Sequence, residues 1–169
     1  MLYQKLSVVV LSALSITGCA IPMADKQSDA LGKQFNAPPA GMATLYLYSG
    51  NCSYSSAIPM GPVYVYQEGN CEIQTLSLKR PDETVEPLGR LSRRTWMAVD
   101  LPAGTYTILC KRKKEPVAHV VELIEGRQYF VEALKGAAGG CALGAVNSES
   151  AKLEIREGDR VRTGKDVSR

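Results

Sequence analysis

The sequence of 169 residues has few of the side chains that carry most chemistry near neutral pH. It has one histidine, His119, and lacks a His-Glu-x-x-His pair, a Gly-x-Ser-x-Gly elbow and a phosphate-cradling Gly-Lys-Ser/Thr loop. Its five cysteines are scattered. The closest two, Cys52 and Cys71, stand nineteen positions apart, which excludes the tight Cys-x-x-Cys spacing of zinc and thioredoxin-like sites. Excess charge is also small: 20 Lys and Arg face 17 Asp and Glu, a formal net charge of +3. That is too small to argue for nucleic acid on net charge alone, and no nucleic-acid partner is expected. No catalytic residue, cofactor or metal is assigned from these residues. The absences count modestly against an enzyme, because a catalytic triad can be dispersed along a chain.

What is present begins at the N-terminus. Residues 6–16 run uncharged for eleven positions after Lys5. A membrane-spanning helix needs roughly 20 apolar residues, so this run is too short to span but suits the core of a signal peptide. Ile16-Thr17-Gly18-Cys19 follows directly. This tetrapeptide resembles a lipobox, the signal by which bacterial lipoproteins are acylated on cysteine and cleaved before it. The resemblance implies cleavage after residue 18 and a lipid on Cys19. With Ala20 rather than Asp next, it implies sorting to an outer membrane, the domain facing the periplasm. Removing Cys19 from the count leaves Cys52, Cys71, Cys110 and Cys141, an even set for two disulfides in an oxidising compartment.

Residues 19–41 read as a lipidated tether. Ala24, Gln27, Leu31 and Phe35 recur at helical spacing, with Pro22 placed for a first turn, and predict a short helix. Pro38, Pro39 and Gly41 end it and mark the domain boundary. Residues 42–156 then alternate with a period of two. Strands are predicted at 44–48, 62–66, 71–78, 95–100, 105–111, 117–124, 128–134 and 151–156, with the turn Glu125-Gly126 making a hairpin of the sixth and seventh. Residues 136–140 read as a small-residue linker, and 157–169 as a basic C-terminal tail. The pattern predicts an all-β protein, a single β-sandwich or small barrel of seven to eight strands.

Three spaced landmarks carry a second resemblance: Leu88-Gly89-Arg90-Leu91, then residues 99–106 around Leu101-Pro102-Ala103-Gly104, then residues 125–131 around Gly126-Arg127-Gln128-Tyr129. They resemble a bacterial lipoprotein family of uncharacterised function with a prealbumin-like, immunoglobulin-like sandwich. The likeness covers roughly residues 37–155 and implies fold rather than activity. The segment between Ser49 and Arg94 departs from it, being longer and carrying Cys52 and Cys71.

Each candidate for chemistry has a plainer alternative. For the four cysteines, structural disulfides outweigh catalytic thiols, and the pairing Cys52–Cys71 with Cys110–Cys141 is favoured among three connectivities because each pair flanks local hairpins or loops. His119 lies in an alternating strand and reads as a packed or surface residue unless an acid such as Glu122 or Asp100 converges on it. Lys111, Arg112, Lys113 and Lys114, and then Arg156, Arg160, Arg162, Lys165 and Arg169, are either a patch for anionic polymer or a solvated tip and frayed tail, the second favoured. Tyr46, Tyr48, Tyr54, Tyr64 and Tyr66 are either sugar-stacking rings or half-buried strand residues, again the second. Asn51-Cys52-Ser53 matches a glycosylation acceptor that a bacterial lipoprotein would not use.

Together these features predict an envelope lipoprotein held to a membrane through Cys19. It would act as a non-enzymatic binding, accessory or structural protein toward an envelope protein or glycan. The alternatives are a periplasmic enzyme acting on envelope glycans and a binder of lipopolysaccharide or anionic lipid.

Overall fold

The computed structural model describes residues 21–50, 53–58, 61–66, 73–111, 115–135 and 141–164, with backbone only for 53–66 and Lys135. Two sheets face each other, and helices cover the outer face of the larger one.

The larger sheet is built on β1 (Met42–Ser49), whose run of apolar and aromatic residues is buried almost throughout. Its even-handed burial has a simple cause, because both faces are covered. Ala43, Leu45 and Leu47 point into the inter-sheet core, while Tyr46 and Tyr48 join Trp96, Phe130, Ala151 and Ile155 in a second cluster on the outer face. β6 (Thr95–Pro102) pairs antiparallel with β1, and β9 (Gln128–Lys135) pairs parallel with it on the other side. β10 (Cys141–Ala145) and the two-residue β11 (Asp159–Arg160) complete the order β10-β9-β1-β6-β11.

The smaller sheet runs β5 (Val85–Leu91), β4 (Gln74–Lys79), β7 (Gly104–Cys110) and β8 (Val117–Leu123), all antiparallel. Its strands alternate cleanly. Leu76, Leu78, Tyr106, Ile108, Val121 and Leu123 face the core, while Thr75, Thr105, Val120 and Glu122 are exposed. β2 (Ser53–Ile58) and β3 (Gly61–Tyr66) form a separate hairpin. The all-β sandwich expected from the period-two pattern is therefore present, with more strands than the seven or eight foreseen.

Two expectations are corrected. Residues 151–156 are not a strand but the middle of α2 (Ser148–Glu157). Ala151, Leu153 and Ile155 alternate in the sequence, yet Ala151 and Ile155 are the buried pair and Leu153 is 62% exposed. An i, i+4 pair on one face is helical, and Asn147 starts it by accepting from the Glu149 amide at 2.9 Å. Nor do β8 and β9 form a hairpin, for they belong to different sheets. At their junction Gly126, with φ at 75°, donates its amide to Met42 O, and the chain crosses to pair with β1.

The helix expected near the N-terminus is α1 (Lys26–Gly32), shorter than the predicted stripe and oriented differently. Leu31 is 52% exposed, and Pro22 lies before the helix in extended pairing. Asp25 is the N-cap, its carboxylate accepting from the Ser28 amide and hydroxyl at 2.8 and 2.7 Å, which holds its carboxyl below the usual range. Gly32 lies so close to the Trp96 indole that a Cβ would stand 2.3 Å from the ring. The segment is thus docked on the sheet.

The two lateral edges of the sandwich are closed differently. At one, the Cys110–Cys141 disulfide joins β7 of the smaller sheet to β10 of the larger. At the other, residues 161–164 run between β6 and β5. Val161 donates to Trp96 O, Gly164 to Leu88 O, and Val161 and Thr163 are buried. This part of the predicted basic tail is packed structure.

Candidate functional site

The sequence-predicted residues are dispersed. Cys19, Cys52 and Cys71 lie outside the described residues, as do Arg112, Lys113, Lys114, Lys165 and Arg169. Cys110 and Cys141 are bonded, and the bond links two sheets rather than closing a hairpin. Tyr46 and Tyr48 are 4% and 2% exposed and cannot offer their faces to a sugar. Burial, reinforced by the Asp100 carboxylate, pushes the Tyr46 phenol up to about 12.

His119, Glu122 and Asp100 do not converge. His119 and Glu122 are three positions apart on β8 and so point to opposite faces of the sheet. Asp100 belongs to β6 of the other sheet, on the side away from the core, where it accepts from Thr44 Oγ1 at 2.6 Å. Among the described residues, no group of three or more His, Cys, Asp or Glu side chains is gathered as metal ligands would be.

Among the described basic residues of the two clusters, Arg156 and Arg160 lie against aromatic rings, whereas Lys111 and Arg162 are exposed. Arg160 donates through its guanidinium to Ser28 O at 3.1 Å and lies 5.6 Å from the Trp96 ring, with its own amide on Asp29 Oδ1 at 2.9 Å. Arg156 lies 5.6 Å from the Phe35 ring.

Two arrangements escaped sequence reasoning. The first is an open groove of about 420 Å³ on the outer face of the larger sheet. Phe35, Ala37 and Pro38 form one wall, Ser148 and Lys152 of α2 the other, and Gln128 and Phe130 of β9 the floor. The wall is fastened by Gln128 Nε2, which donates to Phe35 O and Asn36 O, both at 2.8 Å. Phe35 takes the left-handed backbone conformation, φ 51°, to turn its ring 5.4 Å from Tyr46, which stacks on Phe130 at 5.0 Å. Lys152 Nζ sits 5.8 and 6.0 Å from the Phe35 and Phe130 rings. Phe130 is only 5% exposed and Lys152 Nζ also lies 3.4 Å from Glu149 Oε1, so the groove presents a mixed polar and apolar surface with a partnered ammonium at its rim. Only the recurrence of Lys152 one helical turn before Arg156 hinted at it, and the predicted strand hid that spacing.

The second is an acidic corner. Glu132 of β9 and Glu154 of α2 both approach Gly50, where a Cβ would stand 3.1 Å from Glu132 Oε1 and 3.2 Å from Glu154 Oε2. Burial, then the Glu154 carboxylate, raises the Glu132 carboxyl above its ordinary range, although the Gly50 amide opposes the shift. Tyr48 beside them is raised mainly by burial and then by both carboxylates. No sequence motif joins these three residues, which come from different elements.

No family profile matches the chain, and comparison with curated proteins and with solved structures gives no significant match either.

Proposed function

We propose that the chain is a lipoprotein of a bacterial cell envelope, acylated on Cys19 and sorted to the outer membrane with its sandwich in the periplasm. It serves as a binding, accessory or structural protein rather than an enzyme. The observation that carries this reading is the uncharged eleven-residue run ending in Ile16-Thr17-Gly18-Cys19. The inter-sheet disulfide supports an oxidising compartment. The groove beneath α2 supports a binding role, since it is an open, mixed polar and apolar recess with the Lys152 ammonium at its rim. The divergence of His119, Glu122 and Asp100 weighs against a hydrolase built on them. The resemblance to lipoproteins with a prealbumin-like domain fits the same reading.

Mass spectrometry of the protein purified from native membranes tests it. The expected N-terminal peptide begins at Cys19 and carries acyl chains. A peptide that retains residues 1–18 with an unmodified thiol would overturn the proposal.

A further inference from the structure

The sandwich begins to be held in place almost immediately after Cys19. Ile21 packs against the inter-sheet core. Met23 bridges to Val161, Ala24 donates its amide to Arg160 O at 2.9 Å, and Arg162 donates to Pro22 O at 2.9 Å. Residues 21–24 are therefore fastened to the β11 edge by one antiparallel bridge and its flanking hydrogen bonds, and only Ala20 stands between them and the cysteine. A two-residue step reaches at most about 7 Å. A linker of that length cannot let a folded domain swing clear of the surface its lipid enters.

We propose that this edge of the sandwich, residues 21–24 with 160–164, rests against the headgroups of the anchoring bilayer and fixes the domain in one orientation. The inference depends on lipidation of Cys19 as proposed above. The chemistry of the edge suits a headgroup layer. Met23 is 42% exposed and apolar, Pro22 and Arg162 are exposed beside it, and the Asp25 carboxylate is taken up by Ser28. An exposed cation and an apolar side chain at one level match the polar and apolar parts of a lipid interface. Because β10 and β11 are opposite edges of the five-stranded sheet, four strand spacings of about 4.8 Å hold the disulfide edge roughly 19 Å further from the membrane. β8 lies on that far edge too, as the strand of the smaller sheet most distant from β5.

The test uses the full chain, lipidated in cells and reconstituted in phosphatidylethanolamine–phosphatidylglycerol vesicles that contain a nitroxide-headgroup lipid. A fluorophore is placed at Met23→Cys or at Val120→Cys, both exposed positions, and each variant is checked for an unchanged thermal midpoint. Quenching at position 23 is expected to exceed that at position 120 at least threefold. A twelve-residue Gly/Ser spacer inserted after Ala20, itself a coil of roughly 20 Å, is expected to bring the two to the same low level. Equal quenching at both positions without the spacer, in protein shown by mass to be acylated, overturns the orientation and leaves the lipoprotein reading standing. Unchanged asymmetry with the spacer overturns the claim that the short link sets it. Protein with no acyl group on Cys19 overturns both readings together.

Discussion

The Asp29 carboxylate collects donors from three parts of the chain: the Trp96 indole at 3.2 Å, the Arg160 amide at 2.9 Å and Lys33 Nζ at 2.7 Å. It thereby joins α1, β6 and β11, which are far apart in sequence. Trp96 is fully buried, so removing its acceptor strands an indole N–H in the protein interior. Asp29→Ala is expected to cost about 1–3 kcal/mol, read from urea unfolding. The emission of this single tryptophan should shift to the red as α1 loosens. Unchanged stability and emission would show that the three bonds are replaceable by water.

Glu132 supplies a pH signature. Its carboxyl is raised in the folded protein by burial and by Glu154, so the folded state holds this proton over a pH range in which the unfolded chain has lost it. The contribution to stability is therefore complete below the unfolded value, about pH 4.3, and is lost as pH rises through the raised one. Glu132→Gln removes the penalty while keeping an oxygen for the Gly50 amide. The variant is expected to match the parent near pH 4 and to be the more stable at pH 7, by urea midpoints at the two values. Equal midpoints at pH 7 would mean that the carboxylate is solvated.

At the scale of the element, the disulfide is the clearest test. Cys110 and Cys141 enclose a sequence separation of 31. Closing a loop of that size contributes about 4 kcal/mol in the chain-entropy view. Cys110→Ala with Cys141→Ala is expected to lose most of that in denaturant unfolding and to loosen β10, the outermost strand, before the rest. Amide exchange in β10 that stays as slow as in β9 would refute this.

The elements also show where the sequence was readable. β1, β6, β7, β8 and β9 were legible because each alternates or is richly apolar over its own length. Their partners were not, since sheet membership is set by contacts between distant residues. Gly126 reads equally well as a hairpin turn or as a crossing between sheets. β5 was missed because Pro87 and Gly89 interrupt its pattern, although a bulge in its pairing with β4 accommodates them. α2 was misread because its Ala-x-Leu-x-Ile run fits both periods, and only burial of Ala151 and Ile155 without Leu153 decides between them. The candidate sites were least legible of all. Groove and acidic corner each draw on three or more separate segments with no local motif. The Cys110–Cys141 bond was favoured among three connectivities as a local clasp, but its role in joining two sheets was not legible.

For the whole molecule, the N-terminal segment matters as a layer of the fold. α1 and Phe35 cover Trp96 and Tyr46, which are 0% and 4% exposed in their presence. A chain starting at Ile21 is expected to melt at the same temperature as the full-length protein. One starting at Ala37 should bind a hydrophobic dye and lose its cooperative transition, because it bares the part of the aromatic cluster that α2 and Arg160 leave uncovered. Identical melting of the two shortened forms would show that the layer is dispensable.

The pairing of residues 21–24 with 160–162 also has a consequence in time. A chain made from its N-terminus presents residue 21 long before residue 161. The opening segment must wait, unpaired, until residues 160–162 have arrived, and contacts so distant along the chain are slow to form. While it waits, that bare margin is open to pairing with strangers, which makes the interval before residues 160–162 arrive the period when an escort would matter most.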